Sequence, residues 1–134
     1  KTTANILKRK AFTVSMAEAG QVVACDYVGI VSGNKVADKF ARAGFHATRS
    51  EFVDAPLIDE LSVAMECRLK DYNPETSILR SEIVNVSVDE RVLGENGKVD
   101  ASKVVPIIFD PFNNDYLKVG EKVGNAFSDG KILK

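Results

Sequence analysis

Scarcity is the first information in this chain. It has no tryptophan, one histidine and two cysteines among 134 residues. Cys25 and Cys67 lie far apart, form no Cys-x-x-Cys pair and have only His46 for company, so a Cys/His zinc site is excluded. No Gly-x-Ser-x-Gly, His-Glu-x-x-His or phosphate-binding Gly-x-x-x-x-Gly-Lys motif occurs, which removes the commonest signatures of hydrolases and nucleotide triphosphatases. No excess of either charge exists: the net charge is -1, so the expectation is no nucleic-acid partner and no anionic membrane surface. No apolar run is long enough to span a bilayer. The basic segment 1–10 lacks a following apolar stretch and does not read as a signal peptide. Two unpaired thiols fit a reducing compartment, hence a cytoplasmic location.

What is present is an ordinary globular composition, 45% hydrophobic and 28% charged, at a length that suits one domain spanning 1–134. Segment 1–10 has helical composition. Residues 11–16 alternate, with Phe12, Val14 and Met16 on one face, and read as a strand. A helix is expected over 17–31 from the spacing of Val22, Val23, Tyr27 and Ile30, and a second over 35–43, ended by Gly44. Residues 54–57 read as an extended connector, because the residue before proline avoids the α region. Residues 62–71 alternate cleanly, with Val63, Met65, Cys67 and Leu69 on one face and Glu66, Arg68 and Lys70 on the other. A long strand over 77–93, a turn at Asn96-Gly97, a buried strand over 104–109 and a short strand at 116–119 follow. Glycines then mark an irregular tail. Antiparallel strands spaced by turns, with helices inserted early, point to a mainly β fold, a small barrel or sandwich.

Two stretches carry candidate chemistry. After an apolar run, Ser32-Gly33 breaks the chain, and Asp38-Lys39-Phe40 restarts it. Such a break gathers backbone N–H groups, a hydroxyl and an ammonium that can hold a phosphate or the polar edge of a planar cofactor. The plainer reading is a helix C-cap followed by a solvated helix. In the tail, Tyr116 precedes Gly120 and Gly124, a pattern of backbone approaching something closely. The alternative there is a closing strand that packs Tyr116 and Phe127 into the core. His46 reads as a surface residue, and Asp54, Asp59 and Glu60 as solvated charges rather than an acid–base pair.

Taken in order, the segments Thr2-Thr3-Ala4-Asn5-Ile6, Ser32-Gly33 with Asp38-Lys39-Phe40, Ala55-Pro56-Leu57-Ile58 with Met65-Glu66-Cys67, and Tyr116 through Gly120-Glu121 to Ala126-Phe127 resemble the flavin reductase-like, FMN-binding split-barrel family, most closely its flavoredoxin-type branch. The resemblance implies a split β-barrel with inserted short helices. Members of that family carry several strands before the Thr-x-x-Asn-Ile helix, so the expectation is a barrel incomplete at the N-terminus and a chain that corresponds to the C-terminal portion of such a protein. It also implies non-covalent FMN near a homodimer interface, reduced by NAD(P)H or a protein donor, with a small-molecule or protein redox partner. Thr2, Thr3 and Asn5 at the start of a helix then become phosphate contacts, with helix capping as their alternative role. Ser32, Gly33, Lys39 and Phe40 become contacts around the ring or from the partner subunit, Lys39 as the cation beside the reduced ring, and Tyr116 joins them. Two other readings stand beside this one: a non-catalytic dimerising barrel that has lost flavin, and an iron- or haem-handling relative, for which a single histidine is a poor ligand supply.

Overall fold

A computed structural model describes residues 1–134. Helix α1 (Thr2–Arg9) leads into strand β1 (Ala11–Ser15), and Lys10 makes the turn between them in the left-handed region (φ 58°). A single 3-10 turn (Ala19–Gln21) runs into α2 (Val22–Ile30). The short helix α3 (Lys39–Arg42) follows, then strands β2 (Ala47–Arg49), β3 (Pro56–Ile58), β4 (Val63–Asn73) and β5 (Ile78–Val88). After a 3-10 turn come α4 (Ala101–Val104), β6 (Ile107–Asp110) and β7 (Asp115–Lys118).

The strands make three antiparallel sheets: β1-β4-β5, the β2–β3 hairpin and the β6–β7 hairpin. They are not closed on one another into a continuous barrel, and both β1 and β5 present an unpaired edge. No helix is long and apolar enough to cross a membrane.

Most expected elements are present, and the differences have local causes. The second helix starts at Lys39 rather than at 35, because the amides of Lys35 and Val36 are spent on the Ser32 carbonyl in a separate turn. The 54–57 connector is partly strand: Arg49 pairs with Pro56 and Ala47 with Ile58. The buried strand expected over 104–109 divides, since Val104 ends α4 and is buried, Val105 turns in the left-handed region, and Ile108 and Phe109 lie more than half exposed on β6. Phe127 is fully exposed, so it packs into no core.

The largest correction concerns β4. Glu66 pairs with Asn85, whereas its neighbour Cys67 pairs with Ile83, so Val84 on β5 is left over as a bulge. Glu66 does not face solvent with Arg68 and Lys70; it is fully buried. It shares a covered face with Ala64, Ser87 and Asn85. The opposite, apolar face is the open one. Val14, Met65 and Val86 stand in one cross-strand row there, and Val14 and Val86 are 42% and 51% exposed.

Only nine residues are buried, among them Phe45, Val53, Leu61, Ala64, Cys67, Val92 and Val104. The chain exposes 10005 Å². A compact monomer of its mass exposes about 6,900 Å². The excess is apolar in character: Val23, Ile30, Ile83, Phe112, Val123, Ile132 and Leu133 are all more than half uncovered.

Candidate functional site

A groove of about 1030 Å³ lies between α1, β1 and the β2–β3 hairpin. It is at the upper end of the size range of small-molecule sites, roughly 300–1,000 Å³. Helical spacing explains one wall: Thr2, Asn5, Ile6 and Arg9 recur at three- and four-residue steps and so share a face of α1. Strand β1 supplies Ala11 to Val14, and the hairpin supplies Ala47, Arg49, Ala55 and Pro56. The Thr13 hydroxyl donates to the Pro56 carbonyl at 2.6 Å and ties β1 to the hairpin across the groove.

The two ends of the groove differ. At one end α1 begins without a side-chain cap. Its first-turn N–H groups and the positive end of its dipole therefore remain available beside Thr2 and Asn5. At the other end Arg9 donates to Asp54 at 2.6 Å, and the Arg49 guanidinium stands 3.8 Å from the same carboxylate. The hydrogen bond from Arg9 holds the Asp54 carboxyl below its ordinary range, against slight burial and with help from both positive charges. Lys8, Arg9 and Arg49 against Asp54 give the lining a net charge of +2, in a chain whose overall charge is -1.

The loop that carries Asp54 is held from below by a buried polar cluster. Ser50 Oγ donates to Glu66 Oε2 and accepts from the amides of Phe52 and Val53 at 3.0 Å each, and the Ser50 amide bonds the Ala55 carbonyl. Glu66 Oε1 accepts from Ser87 Oγ at 2.5 Å and Asn85 Nδ2 at 2.7 Å. Burial pushes the Glu66 carboxyl up, but the donors from Ser50, Ser87 and Asn85 outweigh it and hold the group below its ordinary value. No lysine or arginine pairs with it, so hydrogen bonds alone compensate the buried charge.

The other residues singled out in the sequence lie apart from this groove. Thr3 sits in the first turn of α1 without lining it. Lys39 Nζ donates to the carbonyls of Val28 and Val31 at 2.8 Å each, so it caps the C-terminal end of α2, where a cation is favoured. Ser32 Oγ accepts from the Asn34 amide, the Gly33 carbonyl accepts from Lys1 Nζ at 2.8 Å, and Phe40 packs against Phe45 with ring centroids 5.7 Å apart. Lys1 thus joins the Ser32–Gly33 turn to the start of α1, the one link between the two groups. Tyr116 donates to Asp26 at 2.8 Å, which raises its phenol pKa, and tilts against Phe109. Lys39→Met is expected to lower stability by about 1–2 kcal/mol through the two lost charge-assisted bonds, read as a shift in the urea midpoint at unchanged slope.

The model of the flavin reductase like domain matches residues 1–109. The chain belongs to the flavin reductase-like family. Flavoredoxin of Desulfovibrio vulgaris (Miyazaki F) superposes with a TM-score of 0.89 at 40% identity, over 96% of this chain and 69% of that one. Flavoredoxin of Methanosarcina acetivorans gives 0.89 at 30% identity, over 99% and 70%. An uncharacterized protein of Aquifex aeolicus (strain VF5) is 32% identical over 108 residues, 79% of this chain and 55% of that protein. The chain therefore spans about half the length of this curated relative. The fold is that of the split-barrel flavin reductase-like proteins, mostly β with short helices.

The family model fixes membership of the flavin reductase-like domain family over residues 1–109. Within this flavin reductase-like chain, Thr2 and Asn5 of the helix motif line the groove, together with Arg9 and Arg49, which the sequence does not single out, and Asp54, which it marks only as a solvated charge. Arg9 had a readable signal, its helical register with Thr2 and Asn5. Arg49 and Asp54 had none, because only the hairpin brings them to α1. Asp54 is no free solvated charge, and neither is Glu60: the carboxylate of Glu60 takes the amide and ring of the exposed His46.

Proposed function

We propose that this chain holds FMN in the groove between α1, β1 and the β2–β3 hairpin and acts as a flavoredoxin-type electron-transfer or flavin reductase protein. The observation that carries the reading is the juxtaposition of an uncapped helix start with an apolar-walled groove of flavin size. The residues fit the group. Thr2, Asn5 and the first-turn N–H groups of α1 match the needs of a phosphate dianion. Ile6, Phe12, Val14 and Pro56 offer apolar surface to a planar ring. When bound, FMN supplies the hydride and electron chemistry; the chain binds, orients and shields it. NAD(P)H or a reduced protein is the proposed donor.

The same reading makes the protein a homodimer. An obligate interface takes about 1,000–2,500 Å² from each partner, and the surface of this chain beyond the compact expectation, about 3,000 Å², leaves room for one. Cys25 and Cys67 are both free thiols, which supports a cytoplasmic setting.

The test is optical. Purified protein is expected to be yellow, or to quench the fluorescence of added FMN with a Kd in the micromolar range or below. Thr2→Val with Asn5→Ala should weaken FMN at least tenfold and riboflavin, which lacks the phosphate, far less. Colourless protein that also refuses FMN would favour a dimerising module without flavin.

A further inference from the structure

We propose that residues 107–134, the β6–β7 hairpin and the segment after it, form an exchange arm. The arm of one copy lies on the open apolar face of the three-stranded sheet of a second copy, and the exchange is reciprocal. This rests on the dimer reading above and names the contact that would make it.

Four observations carry it. The first is that the arm has no cover of its own. Every residue from Pro111 to Lys134 is exposed. Phe112, Val123, Phe127, Ile132 and Leu133 are at least 89% uncovered. Single apolar residues scattered over a surface need no explanation, but five nearly bare ones on one short segment mark a contact surface.

The second is that the arm has a fixed root and a shape of its own. The Ile107 amide donates to the Ala17 carbonyl at 3.1 Å, the Val119 amide donates to the Pro106 carbonyl at 3.0 Å, and Tyr116 donates to Asp26. Beyond Val119 every hydrogen bond stays within the arm: the Asn125 amide donates to Asp129 at 2.8 Å, and a 3-10 turn runs over Asp129–Leu133. An open space of about 1380 Å³ separates residues 118–124 from residues 94–105, so the base of the arm stands off its own body. A segment shaped before it docks loses less freedom on docking.

The third is the backbone of Phe127, which lies in the left-handed region (φ 61°) with the ring fully exposed. Bulky side chains seldom adopt that region, and such strain persists where a contact requires it. A ring this exposed packs on nothing in its own copy.

The fourth is the fit to a second copy. Four lysines and three carboxylates are interspersed along residues 111–134. That balance matches neither nucleic acid nor an anionic membrane. It does match an uncharged protein face, and this chain carries one, where Val86 stands beside Met65 and is half exposed. An arm and a face on the same chain close in pairs about a two-fold axis and leave neither surface over.

The test uses the full chain and two readouts. In sedimentation velocity, wild-type protein is expected to dimerise and Phe127→Asn to associate at least tenfold more weakly. Asparagine tolerates the left-handed region, and circular dichroism should show the variant folded. For the second readout, p-benzoylphenylalanine replaces Phe127, and this chain exchanges subunits with isotope-labelled wild-type chain before irradiation. Mass spectrometry is expected to find links from position 127 to β4 or β5 of the labelled copy. A dimer that Phe127→Asn leaves as tight as the wild type would overturn the arm and retain the dimer. Links confined to one copy would place the arm on its own body, and links to another surface of the labelled copy would remove the sheet face; either overturns the proposal. A monomeric wild type would remove the dimer reading and this proposal together, and would leave the arm to a different protein.

Discussion

Glu66→Ala is expected to cost about 3–5 kcal/mol of unfolding free energy, the largest loss of any single side-chain truncation in this chain. The range combines two effects: a cavity in a packed site and the orphaning of buried donors. The Ser50 hydroxyl, the Ser87 hydroxyl and the Asn85 amide all lose their acceptor at once. Glu66→Gln keeps the volume and one carbonyl oxygen but turns an amide toward groups that donate, so about half that loss is expected. The pH dependence separates charge from packing. The Glu66 carboxyl is held below its ordinary value of 4.5 in the folded chain. Its contribution is thus complete above about pH 4.5 and is lost as pH falls through the lower folded value. Urea midpoints measured from pH 7 down to pH 3 should fall further in the wild type than in Glu66→Gln, because the other lowered carboxyls, Asp54 and Glu82 among them, give both proteins a shared acid-driven loss. An identical pH profile in the two proteins would show that the carboxylate is not ionised in its cluster.

Glu66 also marks where the sequence stops being legible. Alternation along 62–71 identifies the strand correctly, and it places Glu66 with Arg68 and Lys70 because a period of two has no way to register a bulge on the neighbouring strand. The bulge is a property of the β4–β5 pairing, and it leaves Val84 over. The face opposite reads as core for the same reason: Val14, Met16 and Val86 are apolar and in phase, yet all three are more than 40% exposed. Local signals did better wherever the physics was local. The left-handed Gly97 at its turn and Gly44 after α3 were readable from residue type alone. In the groove, Thr2 and Asn5 came from a motif, whereas Arg49 and Asp54 came from a hairpin whose pairing partners no spacing rule connects to α1. Lys39 illustrates a different limit. Its proximity to Ser32-Gly33 in sequence is real in space, but the ammonium is taken by the open carbonyls at the end of α2.

Val86→Asp is expected to convert a dimer into a monomer at micromolar concentration, an association weakened at least 100-fold. Val86 stands beside Met65 and, across β4, in line with Val14, on the open apolar face of the three-stranded sheet, and it lines no part of the groove. An aspartate at this position costs little in the free chain, where the side chain is half exposed. Covered by a second copy, it is a carboxylate without a partner, and that asymmetry acts on association rather than on folding. A 100-fold effect corresponds to about 2.8 kcal/mol, well within the cost of one unpaired buried carboxylate. Sedimentation velocity on the wild type and the variant, with circular dichroism to show that both are folded, reads the result. Wild-type protein that sediments as a monomer would exclude a dimer, and a variant that dimerises as well as the wild type would move the interface off this face. Ile83→Asp, further along the same face and equally half exposed, should act in the same direction. Val23→Asp on α2 lies outside the three-stranded sheet and should leave association unchanged. Together they determine whether the uncovered row of the sheet, rather than exposed apolar surface in general, is what the second copy recognises.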